Sequence, residues 1–318
     1  KSINELSPVN KKLLETRETL QSEIDLWLKK NRNEKFNHEE YKKFLKKIGY
    51  LKEEGDNFKI DTKNLDEEIS SIAGPQLVVP IMNSRYTLNA ANARWASLYD
   101  SLYGTDLIES EETGGQKYDP LRGQEVIKYA RNFLNDHFSI SGIHWKDISG
   151  FKIEGNNLKI LKDSKEFELE DNNKFIGYRG ETNNPSTIIL ENNNLKIEII
   201  INPKAFSAVQ DAAGISDIII ESAISTICDN EDSVAAVDSE DKVLCYRNWL
   251  GLMKGTLKSV FEKDGKTLER KLNPDRSYIS KDNKKEKLHG RSLLLIRNVG
   301  HLMTNSAIIL EDGSEVPE

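Results

Sequence analysis

The chain has 318 residues, 37% of them in the AVILMFWYC set and 31% charged, so it can bury at least one substantial core and is too apolar to be disordered. Its formal net charge of -7 argues against nonspecific nucleic-acid binding, which needs a basic patch that overcomes the average, and no such patch stands out. No run approaches eighteen uncharged apolar residues, and the leading KSINELSPVNKK lacks a signal-type apolar core, so a cytoplasmic chain with no membrane partner is expected. Cys228 and Cys245 stand in apolar contexts and are expected to be reduced thiols rather than a disulfide scaffold. The chain begins at Lys1 rather than methionine, and a piece of a longer protein is expected.

From Ser7, the residues Val9, Leu13, Leu20, Ile24, Trp27 and Leu28 recur at helical spacing, which predicts an amphipathic helix of about five turns. A second helix is expected after Asn37, a capping side chain, with Glu40 at the capping-box position and Gly49 ending it in the left-handed conformation. After the polar EEGDNFKIDTKNLDEE comes GPQLVVPIMNSRYTLNAANARWASLYDSLYG, which reads as a strand over 77–81 followed by a helix. Pro80 cannot donate to a ladder, so that strand should be an edge, a bulge or an end at this point. Leu88, Ala91, Trp95, Leu98 and Leu102 extend the helical pattern to Gly104, with Asn83, Ser84, Arg85 and Tyr86 at the strand–helix junction.

Asp119 and Pro120 signal the start of a further helix carrying Val126, Ala130 and Leu134. FKIEGNNLKIL and STIILENNNLKIEIIIN then read as hairpins, the second turning at residues 191–194, so that 119–213 form an α+β module. Within SDIIIESAISTICDNEDSVAAVD a helix from Ser216 or Asp217 is expected to feed a short strand over 226–229. KVLCYRNWLGLMKG predicts a helix with Leu244, Asn248 and Leu252 on one face. Residues 256–290 are charged and turn-rich, an expected excursion, before LLLIRN restores a strand apolar enough to be covered on both faces.

Candidate chemistry collects at the ends of these strands. Arg297 closes LLLIRN, with Gly300 and His301 beyond it, and an arginine delivered to a strand end can clamp a carboxylate, a phosphate or a developing enolate, or merely pair at the surface. The run CDNEDSVAAVDSED places Asp229, Glu231, Asp232, Asp238 and Asp241 near another strand end, where they could face a hard divalent ion, orient an arginine, or form a solvated turn and an acidic helix start. Arg85 could meet a phosphorylated cofactor, although nothing here is a P-loop. His137 and His144 have no cysteine spaced for zinc, and Trp95 and Trp249 read as core anchors.

The words GPQLVVPIMNSRYTLNAANARWASLYDSLYGTD, NEDSVAAVDSEDKVLCYRNWLGLMKG, LERKLNPDRSY and LHGRSLLLIRNVGHLMTN, in this order, resemble the G-type malate synthases across nearly the whole chain. The resemblance implies a fragment of a (β/α)8 TIM barrel with an amino-terminal α-helical clasp and an inserted α/β domain. It divides the chain into a clasp over 1–70, barrel segments at 75–95, 222–255 and 292–318, and an inserted domain in two parts, 96–221 and 256–291. It further implies a Mg2+-dependent condensation of acetyl-CoA with glyoxylate, followed by thioester hydrolysis to malate and CoA, as in the glyoxylate cycle.

Residue by residue, Arg297 matches the family's catalytic arginine, which stabilises the enolate. Val78, Arg85 and Tyr86 match contacts to the CoA nucleotide, and Ser233 and Arg270 resemble further CoA contacts. Glu231 and Asp232 resemble supporting acidic residues. Asn230 stands where many members carry cysteine, and Ala96 replaces a common glycine. The family's two carboxylate metal ligands and its aspartate base fall on later segments, so no metal ligand is assigned within this chain. Alone it is expected to be inactive, whereas the full-length protein is expected to be an active monomer. The alternative is a CoA- or nucleotide-binding module without condensation activity, and a third reading is a purely structural fragment.

Overall fold

A computed structural model describes residues 1–108, 118–209, 211–263, 265–298 and 304–317; Gly300 and His301 lie outside the described residues. In chain order the helices are α1 (Ser2–Lys30), α2 (His38–Lys47), α3 (Glu67–Ser70), α4 (Ser84–Asn92), α5 (Leu98–Gly104), α6 (Pro120–His137) and α7 (Ser239–Met253). The strands are β1 (Gln76–Pro80), β2 (Trp95–Ser97), β3 (Gly150–Glu154), β4 (Asn157–Lys162), β5 (Lys165–Phe167), β6 (Phe175–Glu181), β7 (Asn184–Asn192), β8 (Leu195–Ile201), β9 (Ile215–Glu221) and β10 (Ser225–Asn230). They continue with β11 (Lys258–Lys263), β12 (Lys266–Lys271), β13 (Arg276–Ser280), β14 (Lys285–Leu288), β15 (Leu293–Asn298), β16 (Thr304–Ile309) and β17 (Glu315–Pro317). The chain divides into two units, one of residues 1–64, 235–243 and 298–318, the other of 65–234 and 244–297. No helix among the described residues is long and apolar enough to cross a membrane.

In the first unit, α1 is longer than the spacing from Ser7 predicts, running through Pro8. The aromatic ring of Trp27 closes it on α2, with centroids 4.7 Å from Tyr41 and 5.6 Å from Phe44. Asn37 caps α2 as expected, its Oδ1 accepting the amides of Glu39 and Glu40. Gly49 follows with φ +79°, the left-handed turn that ends the helix. Neither helix contains a fully buried residue.

The second unit is built on a seven-stranded sheet in the order β14-β13-β6-β7-β8-β9-β2, with every neighbouring pair antiparallel. The β7–β8 hairpin sits near its middle and turns through Asn193 and Asn194, whose φ of 51° and 63° are those of a tight two-residue loop. Register explains why these strands are apolar on both faces. Ile188, Leu190, Ile197 and Ile199 enter one core, with Leu134 of α6 and Trp145, while Ile189 packs with Tyr278 and Leu288 on the other side. Glu198, directly opposite Ile189, is also buried, and Arg179 (2.6 Å) and Arg276 (2.5 Å) flank its carboxylate.

Three expectations fail here. Residues 215–221 are strand β9 rather than a helix: consecutive Ile218, Ile219 and Ile220 are β-branched, and β8 and β2 offer them ladders on both sides. The helix predicted through Trp95 is broken in two. It ends at Asn92, residues 95–97 pair with β9, and α5 restarts on Ser97, whose Oγ accepts the Asp100 amide. The charged stretch 256–290 is only partly an excursion, because β13 and β14 extend the large sheet beside β6.

A second, three-stranded sheet has the order β1-β10-β15, with β1 and β10 parallel. β10 lies in the middle, and Ile227 and Cys228 face Val78 and Val79 in register. Pro80 is the last residue of its strand, where its missing donor costs nothing. Val79, Ile81, Leu88, Cys228, Cys245 and Leu252 form the core between this sheet, α4 and α7, so Cys245 rather than the exposed Leu244 is the buried position of α7. Both cysteines are free thiols. Strand β15 is an edge, half-buried at Leu293 to Leu295 and exposed at Ile296, and is not covered on both faces as its composition predicts. The fold is mixed α/β, and among the described residues these three strands do not close into a (β/α)8 barrel.

Candidate active site

The ends of β10 and β15 meet in a charged cluster. The Leu293 amide donates to the Ile224 carbonyl at one end of the pair, and Arg297 reaches Asp229 at the other. Asp229 is fully buried, and its carboxylate is filled by donors. Arg297 supplies Nε at 2.8 Å and Nη2 at 2.7 Å, a bidentate fork. The backbone amides of Glu231 (3.0 Å) and Ser233 (2.9 Å) and the Ser233 hydroxyl (2.5 Å) complete it.

Five donors on one carboxylate offset the cost of burying it. The guanidinium is the largest influence: it holds the Asp229 carboxyl well below the usual carboxylate range against the opposing effect of burial, and Ser233 adds to it. In return Asp229 raises the Arg297 pKa. The guanidinium is therefore a permanent, oriented cation. Its side chain is 43% exposed, so it is fixed from behind and open in front.

Glu231 and Asp232 lie around it, at 3.6 Å from Nε and 3.3 Å from Nη2, and both are exposed. Oxygens of Asp229, Glu231 and Asp232 lie within 4.8 Å of one another, a spacing at which a metal ion can be held. Asp229 is already committed to Arg297 and to three neutral donors, so only Glu231 and Asp232 have carboxylate oxygen to turn toward an ion. They fit the border of a metal site rather than the whole of one. Asp238 instead caps α7, its Oδ1 accepting the amides of Glu240 and Asp241, which is the solvated helix start.

The other candidate residues lie on several elements. Ser233 belongs to the Asp229 cluster. Val78 is 55% exposed on β1, and Tyr86 is 56% exposed in the first turn of α4, where the Asn83 side chain accepts its amide. Arg85 and Arg270 come together on a single ring, that of Phe261, with guanidinium carbons 4.0 Å and 5.1 Å from its centroid. Asp229 and Phe261 carry more of the geometry than composition suggests. An acid next to the end of the otherwise uncharged strand STICDN points to the first; for the second only the DG turn signal in KSVFEKDGKTLERK points to a hairpin at all.

Fold and site together define a mixed α/β protein that presents an aspartate-held arginine, ringed by carboxylates, at the ends of adjacent strands. Residues 118–192 match the malate synthase G alpha-beta insertion domain. The chain is 48% identical to malate synthase G of Halalkalibacterium halodurans over 99% of its own length and 44% of that protein's. It is 46% identical to malate synthase G of Corynebacterium efficiens and of Corynebacterium glutamicum, over 99% of this chain and 42% of each relative. The chain belongs to the malate synthase G family and spans less than half the length of the curated relatives it matches.

Proposed function

We propose that the complete protein condenses acetyl-CoA with glyoxylate and hydrolyses the resulting thioester to malate and CoA, and that this chain supplies its enolate-stabilising arginine and much of its CoA site. The observation that carries the proposal is the clamp of Arg297 by buried Asp229. An acetyl methyl is a weak acid, so its deprotonation needs positive charge already aimed at the oxygen that becomes the enolate. A side chain fixed by two bonds to one carboxylate needs little reorganisation when that charge develops.

Asp229 takes no proton in this scheme. Its place is to keep the guanidinium oriented, while Ser233 and the Glu231 amide keep Asp229 in place. Mg2+, when bound, would polarise the glyoxylate aldehyde, and Glu231 and Asp232 are the residues of this chain that would border it. Arg85 and Tyr86 of α4, Val78 of β1 and Arg270 of β12 are assigned to the CoA nucleotide. The proton-abstracting base and the principal metal ligands are assigned to other parts of the family's sequence.

A thiol-release assay tests the reading. The complete gene product should release CoA thiol from acetyl-CoA only when glyoxylate and Mg2+ are present, and this chain alone should release none. Arg297→Lys in the complete protein should lower kcat by roughly a hundredfold or more, the usual cost of losing one preorganised donor. Turnover by the isolated chain equal to that of the complete protein would overturn the division of labour. CoA binding without glyoxylate-dependent release by the complete protein would favour a binding module.

A further inference from the structure

Phe261 lies half-buried on β11, opposite Leu268 of β12. Arg85 approaches it from the first turn of α4 and Arg270 from β12, so the ring sits where the helix meets the hairpin. A second attachment joins the same two elements at the other end of α4. Asn92 Nδ2 donates to the Lys271 carbonyl at 2.8 Å, and Asn92 Oδ1 accepts the Asn273 amide at 2.8 Å. Two separated attachments fix the position of the hairpin along the helix as well as its distance from it.

The ring has a particular electrostatic task. Two guanidiniums brought together repel, yet the negative face of an aromatic ring attracts each of them. Without it, two long side chains with several free torsions would separate into solvent. Held on one ring, they present a paired cation whose forks match phosphate oxygens. Among the described residues neither guanidinium pairs with a carboxylate, which leaves the pair its charge for a ligand.

We propose that Phe261 is a positioning residue that holds Arg85 and Arg270 as one anion clamp for the phosphates of CoA; this rests on the CoA reading above. The test is calorimetric titration of CoA into the complete gene product. Phe261→Leu, which keeps an apolar side chain opposite Leu268, should weaken binding by roughly three- to tenfold through loss of two cation–π contacts, and Phe261→Tyr should restore it. In an Arg85→Gln, Arg270→Gln background Phe261→Leu should have no further effect, because the ring acts through the arginines. In turnover, Phe261→Leu should raise the KM for acetyl-CoA and leave kcat unchanged.

Wild-type affinity in Phe261→Leu, failure of Phe261→Tyr to restore binding, or an undiminished effect in the arginine-free background would each overturn the inference while leaving the CoA reading intact. Absence of CoA binding by the wild type would instead remove the CoA reading, and this inference with it. Circular dichroism of each variant separates loss of binding from loss of fold.

Discussion

The Arg297–Asp229 pair is asymmetric, and the asymmetry decides what each substitution does. Asp229 is fully buried, whereas Arg297 is 43% exposed. Arg297→Met leaves a buried carboxylate with only neutral donors, and we expect a loss of stability below the full cost of an unpaired buried charge because Ser233 and the Glu231 amide remain. Asp229→Asn leaves a cation that water can reach and should cost less. The pH dependence has a definite sign. A carboxyl depressed in the folded state stabilises above its unfolded pKa and loses that contribution as pH falls toward the folded value. The gap between wild type and Arg297→Met should therefore narrow below about pH 4, where an unfolded aspartate begins to protonate. Urea midpoints of both proteins at neutral and acid pH measure it, and a gap that stays constant would contradict the assignment of the shift to Arg297.

LLLIRN places Arg297 at a strand end, but the strand alone leaves an anion clamp and a surface pair equally open. Asp229 was legible only as one of several acids in a row; that it alone turns inward depends on the pairing of β10 with its neighbours, a long-range fact. Phe261 is less legible still. A phenylalanine in a charged hairpin has no pattern that announces a helix contacting it from more than 170 residues earlier, as Arg85 does.

At the scale of elements, local signals with a specific backbone requirement held up best. Asn37, Asp119 and the Asn193–Asn194 turn each satisfy a need of their own few residues, and the structure places them accordingly. Periodicity failed where neighbours decided the outcome. Residues 215–221 have isoleucines that suit helix or strand spacing equally, and the open edge of β8 selects strand. One junction should be unusually intolerant. Gly177 of β6 lies opposite Ser280 of β13, and a Cβ built there would lie 2.4 Å from the Ile279 carbonyl oxygen and 2.6 Å from the Tyr278 ring. Gly177→Ala must push β13 away or displace Tyr278, and we expect a loss of about 2–3 kcal/mol. Chemical denaturation checks this; a variant as stable as wild type would mean that β13 can shift freely.

At the scale of the whole chain, burial is unevenly distributed. The helices of the first unit bury no residue fully, whereas Ile188, Ile189, Leu190 and Ile199 of the large sheet are inaccessible to solvent. Opening free energies follow buried contacts. Hydrogen exchange should therefore label peptides from residues 1–64 much faster than those covering 187–200, and equal protection would contradict the division. The (β/α)8 architecture, implied by resemblance, was the part least open to reading from this chain: among the described residues the sheet that contains the parallel β1–β10 pair has three strands, and closure of a sheet is a property of strands taken together.

Arg94 joins the second unit across great distances in sequence. Its guanidinium, 5% exposed, reaches Glu221 of β9 at 2.9 Å, Glu68 of α3 at 2.6 Å and the Arg291 carbonyl at 3.2 Å, spanning 127, 26 and 197 residues. A loop of 197 residues has to close before the last of these bonds can form, so this one side chain depends on long-range closure and not on local structure alone. A nascent polypeptide emerging from the ribosome would carry Arg94 through the synthesis of 197 further residues before that acceptor existed.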